Sequence, residues 1–392
     1  MNRLTDWSAT GLAVAAGLLC CGQAKATEVS TPNHLTLGGG LVTEYQYKGY
    51  AYAQQAPGGD FKLDYFEVNV KGRHGPLSYA AEERFSGVNF NSPYQLLHYG
   101  WAAYRFGAAG DEQIKVGYFK VPFGTLPYGY QSFWGNLGYY MGLTDNQAAG
   151  IGYKYTPGNW RFDADFFKNN TLGQTTTYGI NPVGDYHSVN TGNVRVGYTF
   201  HEGAAHRITF AWSGKAGQLE LGPTPNNQHT GKQWATAASI NGHWGPWMLQ
   251  MQATAYAYHV PGSSPYQRHS ITVESYGYQY QIPAKGQLYD ISLGKNFGIS
   301  WGPFHKLQVY DDYGYLKVAT PSRRFLDASG NTVGDIQLNE TGVEAVAGPV
   351  YLWAELIAGK NAAGPGFTGY DNGNWYSRIN VAMAYYFSTA NG

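Results

Sequence analysis

The chain has 392 residues, with 26 Lys plus Arg against 26 Asp plus Glu and only 13% charged residues in all. A balanced charge gives no footing to nucleic acid or any other polyanionic partner. Aromatics at 16%, with 53 Gly and 34 Tyr, favour extended structure over helix.

Residues 1–26 are expected to leave the protein. Arg3 supplies a positive n-region, 9–21 (ATGLAVAAGLLCC) is an apolar core of signal-peptide length, and Ala24-Lys25-Ala26 is a small-residue cleavage site. Cys20 and Cys21 depart with that leader, so no disulfide staples the mature chain. Residues 27–392 are then one domain. In it no apolar run approaches the roughly 18 residues of a membrane helix. The mean hydropathy is negative, as it is for a soluble protein and equally for a membrane barrel, whose strands turn half their residues to a polar lumen.

Period-two alternation runs through the chain. Leu35, Leu37, Leu41, Tyr45 and Tyr47 oppose His34, Thr36, Glu44 and Gln46. Later segments repeat the pattern around 160–166, 194–200, 207–212, 247–254, 289–297 and 350–356. The cleanest case is 376–387, where Ile379, Val381, Met383, Tyr385 and Phe387 share one face and Arg378 and Asn380 the other. Lys295 interrupts one apolar face. Segments near 61–71, 77–86, 95–106 and 335–346 change phase part-way, which predicts β-bulges.

Short connections, many of them Gly-Pro, fall at 74–76, 107–111, 157–159, 202–205, 244–246, 301–303 and 347–349. Long ones fall near 48–60, 87–94, 120–146, 170–189, 217–231, 260–286, 318–334 and 360–375. Strict alternation of short and long joins predicts an all-β, transmembrane antiparallel β-barrel of sixteen strands, with both termini on the short-turn side. The segment 270–282 (SITVESYGYQYQI) is placed in the sixth long loop; counting it in the wall leads to the alternative of eighteen strands.

The third long connection, 120–146, is unusually long for a loop, and such loops commonly carry function. It contains Phe123, Tyr128, Tyr130, Phe133, Trp134, Tyr139, Tyr140 and Asp145, and folds inward in this reading as a constriction loop. Its aromatics either stack a sugar ring or pack the loop to the wall. The run 115–124 (KVGYFKVPFG), followed by that loop in a Gly-Pro-punctuated barrel, resembles the phosphate-selective porin O/P family. The resemblance implies a trimeric sixteen-stranded outer-membrane channel constricted by its third loop. It also implies anion selection by lumen arginines and a lysine cluster, of which the loop offers only Lys120.

Lumen-facing phases carry Arg84, Lys115, Lys154, Arg161, Arg195, Arg207 and Arg378, with Lys120 at the loop. Acidic lumen candidates are Glu44, Glu67, Glu82, Asp163, Asp165, Asp290, Asp312 and Glu355. A basic strip would favour anions; the alternative is that these charges pair with one another. Catalytic and metal sites are not expected. The 201–206 turn (HEGAAH) has one residue too many for a zinc-protease helix. Residues 370–374 (YDNGN) lack the downstream Glu of a calcium loop. No cofactor is expected.

The leading expectation is a non-enzymatic porin in the outer membrane of a Gram-negative bacterium, embedded in its lipid as a homotrimer and passing small hydrophilic solutes or anions. The alternatives are a channel specific for a neutral solute such as a sugar, and a plugged barrel with an enzymatic or surface role.

Overall fold

Alternating side chains leave each strand with one face for a barrel's outside and one for its interior, and tight turns fold neighbouring strands into antiparallel hairpins. The structure, a computed structural model, describes residues 34–86, 94–170, 178–183, 186–201, 205–221, 230–259, 269–275, 278–319 and 334–389. The leader at 1–26 and the centre of the 201–206 turn lie outside the described residues.

Nineteen strands are present among them. They are β1 (His34–Lys48), β2 (Asp60–His74), β3 (Leu77–Ser86), β4 (Tyr94–Phe106), β5 (Glu112–Lys120), β6 (Gln147–Tyr155), β7 (Trp160–Asn169), β8 (Asn181–Pro182), β9 (Tyr186–His201) and β10 (His206–Leu221). After these come β11 (Gly231–Trp244), β12 (Trp247–His259), β13 (Ser270–Ser275), β14 (Tyr278–Pro283), β15 (Lys285–Trp301), β16 (Phe304–Val318), β17 (Ile336–Ala347), β18 (Val350–Lys360) and β19 (Trp375–Ser388). Two one-turn helices, α1 (Tyr52–Gln55) and α2 (Leu137–Tyr140), sit in the first and third long loops.

Sixteen strands close a barrel in the order β1-β19-β18-β17-β16-β15-β12-β11-β10-β9-β7-β6-β5-β4-β3-β2. The seam is β1 on β19, from Gly38↔Ser388 to Lys48↔Arg378, and closure removes both sheet edges. The remaining three strands form a separate sheet, β14-β13-β8. The segment 270–282 supplies β13 and most of β14 of that sheet, paired antiparallel with Ser270 opposite Pro283, so the wall keeps sixteen strands and not eighteen.

The outer surface is apolar. Leu37, Phe66, Ile151, Phe166, Val194, Trp212, Met251, Leu293, Leu356 and Val381 are exposed there, each 36% or more, far above what a core tolerates. Lys295 does break that face, yet its ammonium lies over the rings of Trp247 and Phe297 at 4.6 and 4.9 Å. Its stem thereby covers apolar surface while its charge meets two π-faces.

Two of the four expected bulges are present. Asp64 is the extra residue of β2, between Leu63↔Thr43 and Tyr65↔Val42. His98 is the extra residue of β4, between Leu97↔Glu83 and Tyr99↔Glu82. β3 keeps its register with β2 throughout, and β17 is unbroken on both sides. Its phase change has another cause: near the long loops the inward residues Ile336 and Leu338 are apolar because they meet an internal core. That core joins Leu137, Met141 and Leu143 of the third loop to Ile271, Val273 and Ile282 of the inner sheet, and to wall residues such as Leu288 and Ile357. Each such side chain removed from water stabilises by about 1.5–3 kcal/mol. Among the described residues this core occupies part of the long-loop end of the barrel, and cavities lie on either side of the third loop.

Candidate functional site

The third loop starts where the β5–β6 ladder ends, at Lys120↔Gln147, and Val121 N–H to the Asn146 carbonyl (2.9 Å) ties its base. Lys120 pairs with Asp145 and its ammonium also donates to the Pro127 carbonyl at 2.8 Å. Asn136 caps α2, its Oδ1 accepting the Tyr139 N–H at 2.9 Å, as the first turn of any helix requires. Gly142 ends it with φ +66°, where a Cβ would lie 2.5 Å from the Ile180 carbonyl oxygen. Only glycine meets both conditions.

From β5 and β6 the loop crosses the interior to β15–β18; β16 is the eighth strand round the barrel from β5. There, carboxylates hold its backbone. Asp312 Oδ2 accepts the N–H groups of Gln131 (2.9 Å) and Ser132 (2.7 Å). Glu355 Oε1 accepts the Phe133 N–H at 2.7 Å and the Tyr310 hydroxyl at 2.7 Å. Asp290 Oδ1 accepts the Gly138 N–H at 3.2 Å. Charge-assisted bonds of this kind contribute roughly 1.5–3 kcal/mol each. Asp290 and Glu355 thus bind the loop, and buried Glu340 stands beside them on β17.

The loop's aromatics divide into two groups. Phe123, Tyr139 and Tyr140 are each 3% exposed and belong to the internal core. Tyr128, Tyr130 and Trp134 face a cavity of about 570 Å³ on the long-loop side. Asp145 holds two of the neighbouring phenols, accepting from Tyr130 (2.9 Å) and Tyr178 (2.8 Å).

Across that cavity Lys48 of β1, Lys62 of β2, Arg84 of β3 and Arg378 of β19 line the wall, with Asp64 of β2 and Glu344 of β17 among them. Lys62 pairs with Glu44 at 3.0 Å. Arg84 pairs with Glu82 at 2.9 Å and Glu67 at 3.3 Å, and its guanidinium lies 4.3 Å from the Tyr65 ring centroid. His98, turned inward by the bulge, bonds the same Glu82 oxygen through Nδ1.

A second cavity, of about 310 Å³, opens on the short-turn side of the loop. It gathers Lys115, Lys120, Lys154 and Arg161 with Asp163 and Asp165. Lys115 lies over the Trp101 ring at 4.2 Å, and Arg161 grips Asp163 through Nε (2.8 Å) and Nη2 (2.9 Å). Arg195 is buried beneath, donating to the Gly124 carbonyl at 3.1 Å, and Asn193 donates to Asp165 at 2.9 Å. Arg207 stands apart, at the short-turn end of β10 opposite His201.

The basic residues read from sequence therefore form two groups, with the loop between them. Arg84 and Arg378 belong above it, and Lys115, Lys154, Arg161 and Arg195 below. Lys48, Lys62 and Glu340 were not among the candidates. Lys48 continues the inward phase of Glu44 and Gln46, which could have identified it. Lys62 lies beyond the Asp64 bulge, which inverts the phase read from the rest of its strand.

Among the described residues no three His, Cys, Asp or Glu side chains gather as a metal ion requires. In the 370–374 turn Asp371 accepts the Ala363 N–H at 3.1 Å and Asn372 the Asn374 N–H at 3.1 Å.

No protein-family model and no curated protein matches the sequence. Solved structures match the fold. The outer membrane channel DcaP of Acinetobacter baumannii aligns with a TM-score of 0.58 at 13% identity, over 90% of this chain and 97% of that one. An anion-selective porin from Comamonas acidovorans aligns at 0.57 and 14% identity, over 90% and 99%. OprB of Pseudomonas putida aligns at 0.56 and 9% identity, over 90% and 94%. Likeness at such identity is a likeness of fold.

Proposed function

We propose that the protein is an outer-membrane porin, a passive channel for small hydrophilic solutes with a preference for anions. The carrying observation is the arrangement of surfaces: an apolar exterior, a charged interior, and a pinned loop with a cavity lined by charged and aromatic residues on each of its sides. An apolar band outside a polar lumen suits lipid around the wall and water within it. The porins and channel that share the fold support the same reading. It includes removal of the 1–26 leader, residence in the outer membrane of a Gram-negative bacterium, a homotrimer, and no catalytic step or cofactor.

Selection would then rest on the two basic groups. Phosphate is the less favoured anion, because Lys120, the loop's own cation, is already paired with Asp145. A sugar channel is less favoured too: Gln131 spends its amide on Gln250 (3.0 Å) and Gln308 (2.9 Å) and offers little to a hydroxyl. The internal core favours one competing reading, a plugged barrel with a surface role.

Conductance separates these. The refolded protein in a planar bilayer under a KCl gradient is expected to pass an ohmic current with a reversal potential on the anion side. A current that shows no ion preference would keep the porin and remove the basic groups as its filter. No current at all would leave the plugged barrel.

A further inference from the structure

We infer that the long-loop cavity contains a specific binding site for a small organic carboxylate with a flat, apolar body, held by Arg378 and Lys48 and faced by Trp134. The inference rests on the channel reading for its role in transport, but the site itself stands on its own geometry.

Among the described residues, the other two basic residues of this cavity have a carboxylate within 4.0 Å: Lys62 has Glu44 and Arg84 has Glu67 and Glu82. Lys48 and Arg378 have none; Glu44, Asp60 and Glu340 act on them only from beyond ion-pair distance. They are also direct cross-strand neighbours at the β1–β19 seam. Like charges placed opposite one another destabilise a sheet. Two cations side by side without an anion are a cost that a bound anion removes.

Arg378 makes the case sharper. It is 1% exposed, and none of its Nε, Nη1 and Nη2 atoms has a hydrogen-bond acceptor among the described residues. A buried donor left unmade costs about 1–3 kcal/mol, and more when it carries charge. Its guanidinium carbon lies 4.2 Å from the Trp134 ring centroid. Lys62 approaches the same ring at 5.2 Å, and the Trp134 indole N–H is itself buried without an acceptor among the described residues. The unmet groups that converge here are largely donors, so the missing partner is an acceptor-rich anion. A planar fork of donors fits a carboxylate in two parallel bonds.

The rest of the cavity selects the body. Phe133, Trp353, Tyr65 and Tyr386 wall it beside Trp134, and rings of that kind favour a flat apolar partner. Its volume of about 570 Å³ lies within the range of roughly 300–1,000 Å³ typical of small-molecule sites. A single-ring carboxylate fits the size, the charge and the surface.

The test uses benzoate, its neutral isostere benzamide, and inorganic phosphate, each titrated calorimetrically into the refolded full-length protein. Benzoate is expected to bind at least tenfold more tightly than either of the others. Arg378→Gln is expected to weaken benzoate by about thirtyfold, since truncating one partner of a buried charged pair is severe. Lys48→Gln, at a less buried position, is expected to weaken it by about fivefold and serves if the Arg378 variant does not fold. Equal binding of benzoate and benzamide, or benzoate affinity unmoved in Lys48→Gln, would overturn the site. Phosphate binding as tightly as benzoate would overturn the flat-bodied carboxylate. Single-channel recording keeps the two readings apart: benzoate binding in a protein that passes no KCl current removes the channel and keeps the site. A KCl current without benzoate heat does the reverse.

Discussion

Two neighbouring arcs of the same wall treat charge in opposite ways. Along β15–β18, Asp290, Asp312 and Glu355 spend their oxygens on backbone N–H groups of the third loop. Along β19, β1, β2 and β3, Arg378, Lys48, Lys62 and Arg84 line the long-loop cavity, Lys62 and Arg84 paired with carboxylates of their own strands and neighbours. The difference is what each arc faces. A loop segment delivers N–H donors, which only acceptors can satisfy, so the arc that receives it is acidic. The arc that borders the cavity pairs two of its cations, Lys62 and Arg84, within the wall, and Lys48 and Arg378 have no carboxylate within 4.0 Å among the described residues. The acidic arc holds the loop, and the basic arc is where the proposed selection would act.

The sharpest way to break that contrast is to release the loop. Asp312→Ala with Glu355→Ala removes three charge-assisted bonds to the loop backbone and a fourth to the Tyr310 hydroxyl, and is expected to destabilise the protein by at least about 3 kcal/mol. It is also expected to raise single-channel conductance several-fold. A conductance equal to wild type in a folded double variant would mean the loop is held by its apolar core alone.

Next in size is Gly142→Ala. It forces an alanine to φ +66° against the Ile180 carbonyl and is expected to cost about 1–3 kcal/mol. Thermal unfolding reads this, and anion preference should stay as it was. A shift in selectivity without a loss of stability would place the loop's turn in the filter.

Arg84→Gln tests the basic arc. It leaves Glu67 and Glu82 without their guanidinium, so the reversal potential is expected to move toward cations while conductance changes less than twofold. Lys115→Gln should do the same more weakly, because Arg161, Asp163 and Asp165 share its cavity and salt screens partly exposed charges. If Lys115→Gln exceeds Arg84→Gln in 0.1 M KCl, the short-turn cavity is the filter and the ranking of the two basic groups reverses.

Much of the fold was legible because it is written locally. Turns such as Gly75-Pro76, Gly302-Pro303 and Gly348-Pro349 punctuate strands whose period-two pattern needs no tertiary knowledge, and together they count to sixteen. The phase changes were legible but ambiguous. At Asp64 and His98 they are bulges; in β17 the strand is regular, and Ile336 and Leu338 are apolar because an internal core lies over them. Alternation reports which face a residue takes only when the environment of each face is uniform along the strand.

The candidate site was legible as a list and not as an arrangement. Sequence places Arg84, Arg161 and Arg378 inside the barrel, yet their heights depend on register, and register put the third loop between them. The same holds for Asp290 and Glu355, whose role depends on a loop that reaches them from the far side of the barrel. Residue types, strand period and turn chemistry act over a few neighbours, so the sequence by itself determined the strands, their number and the inward loop. Which carboxylates hold that loop, and which cations are left without one, was decided only when closure brought residues hundreds of positions apart, such as Lys48 and Arg378, to adjacent places on one wall. Hydrogen bonds and Coulomb forces at a few ångströms depend on that juxtaposition, and no local pattern carries it.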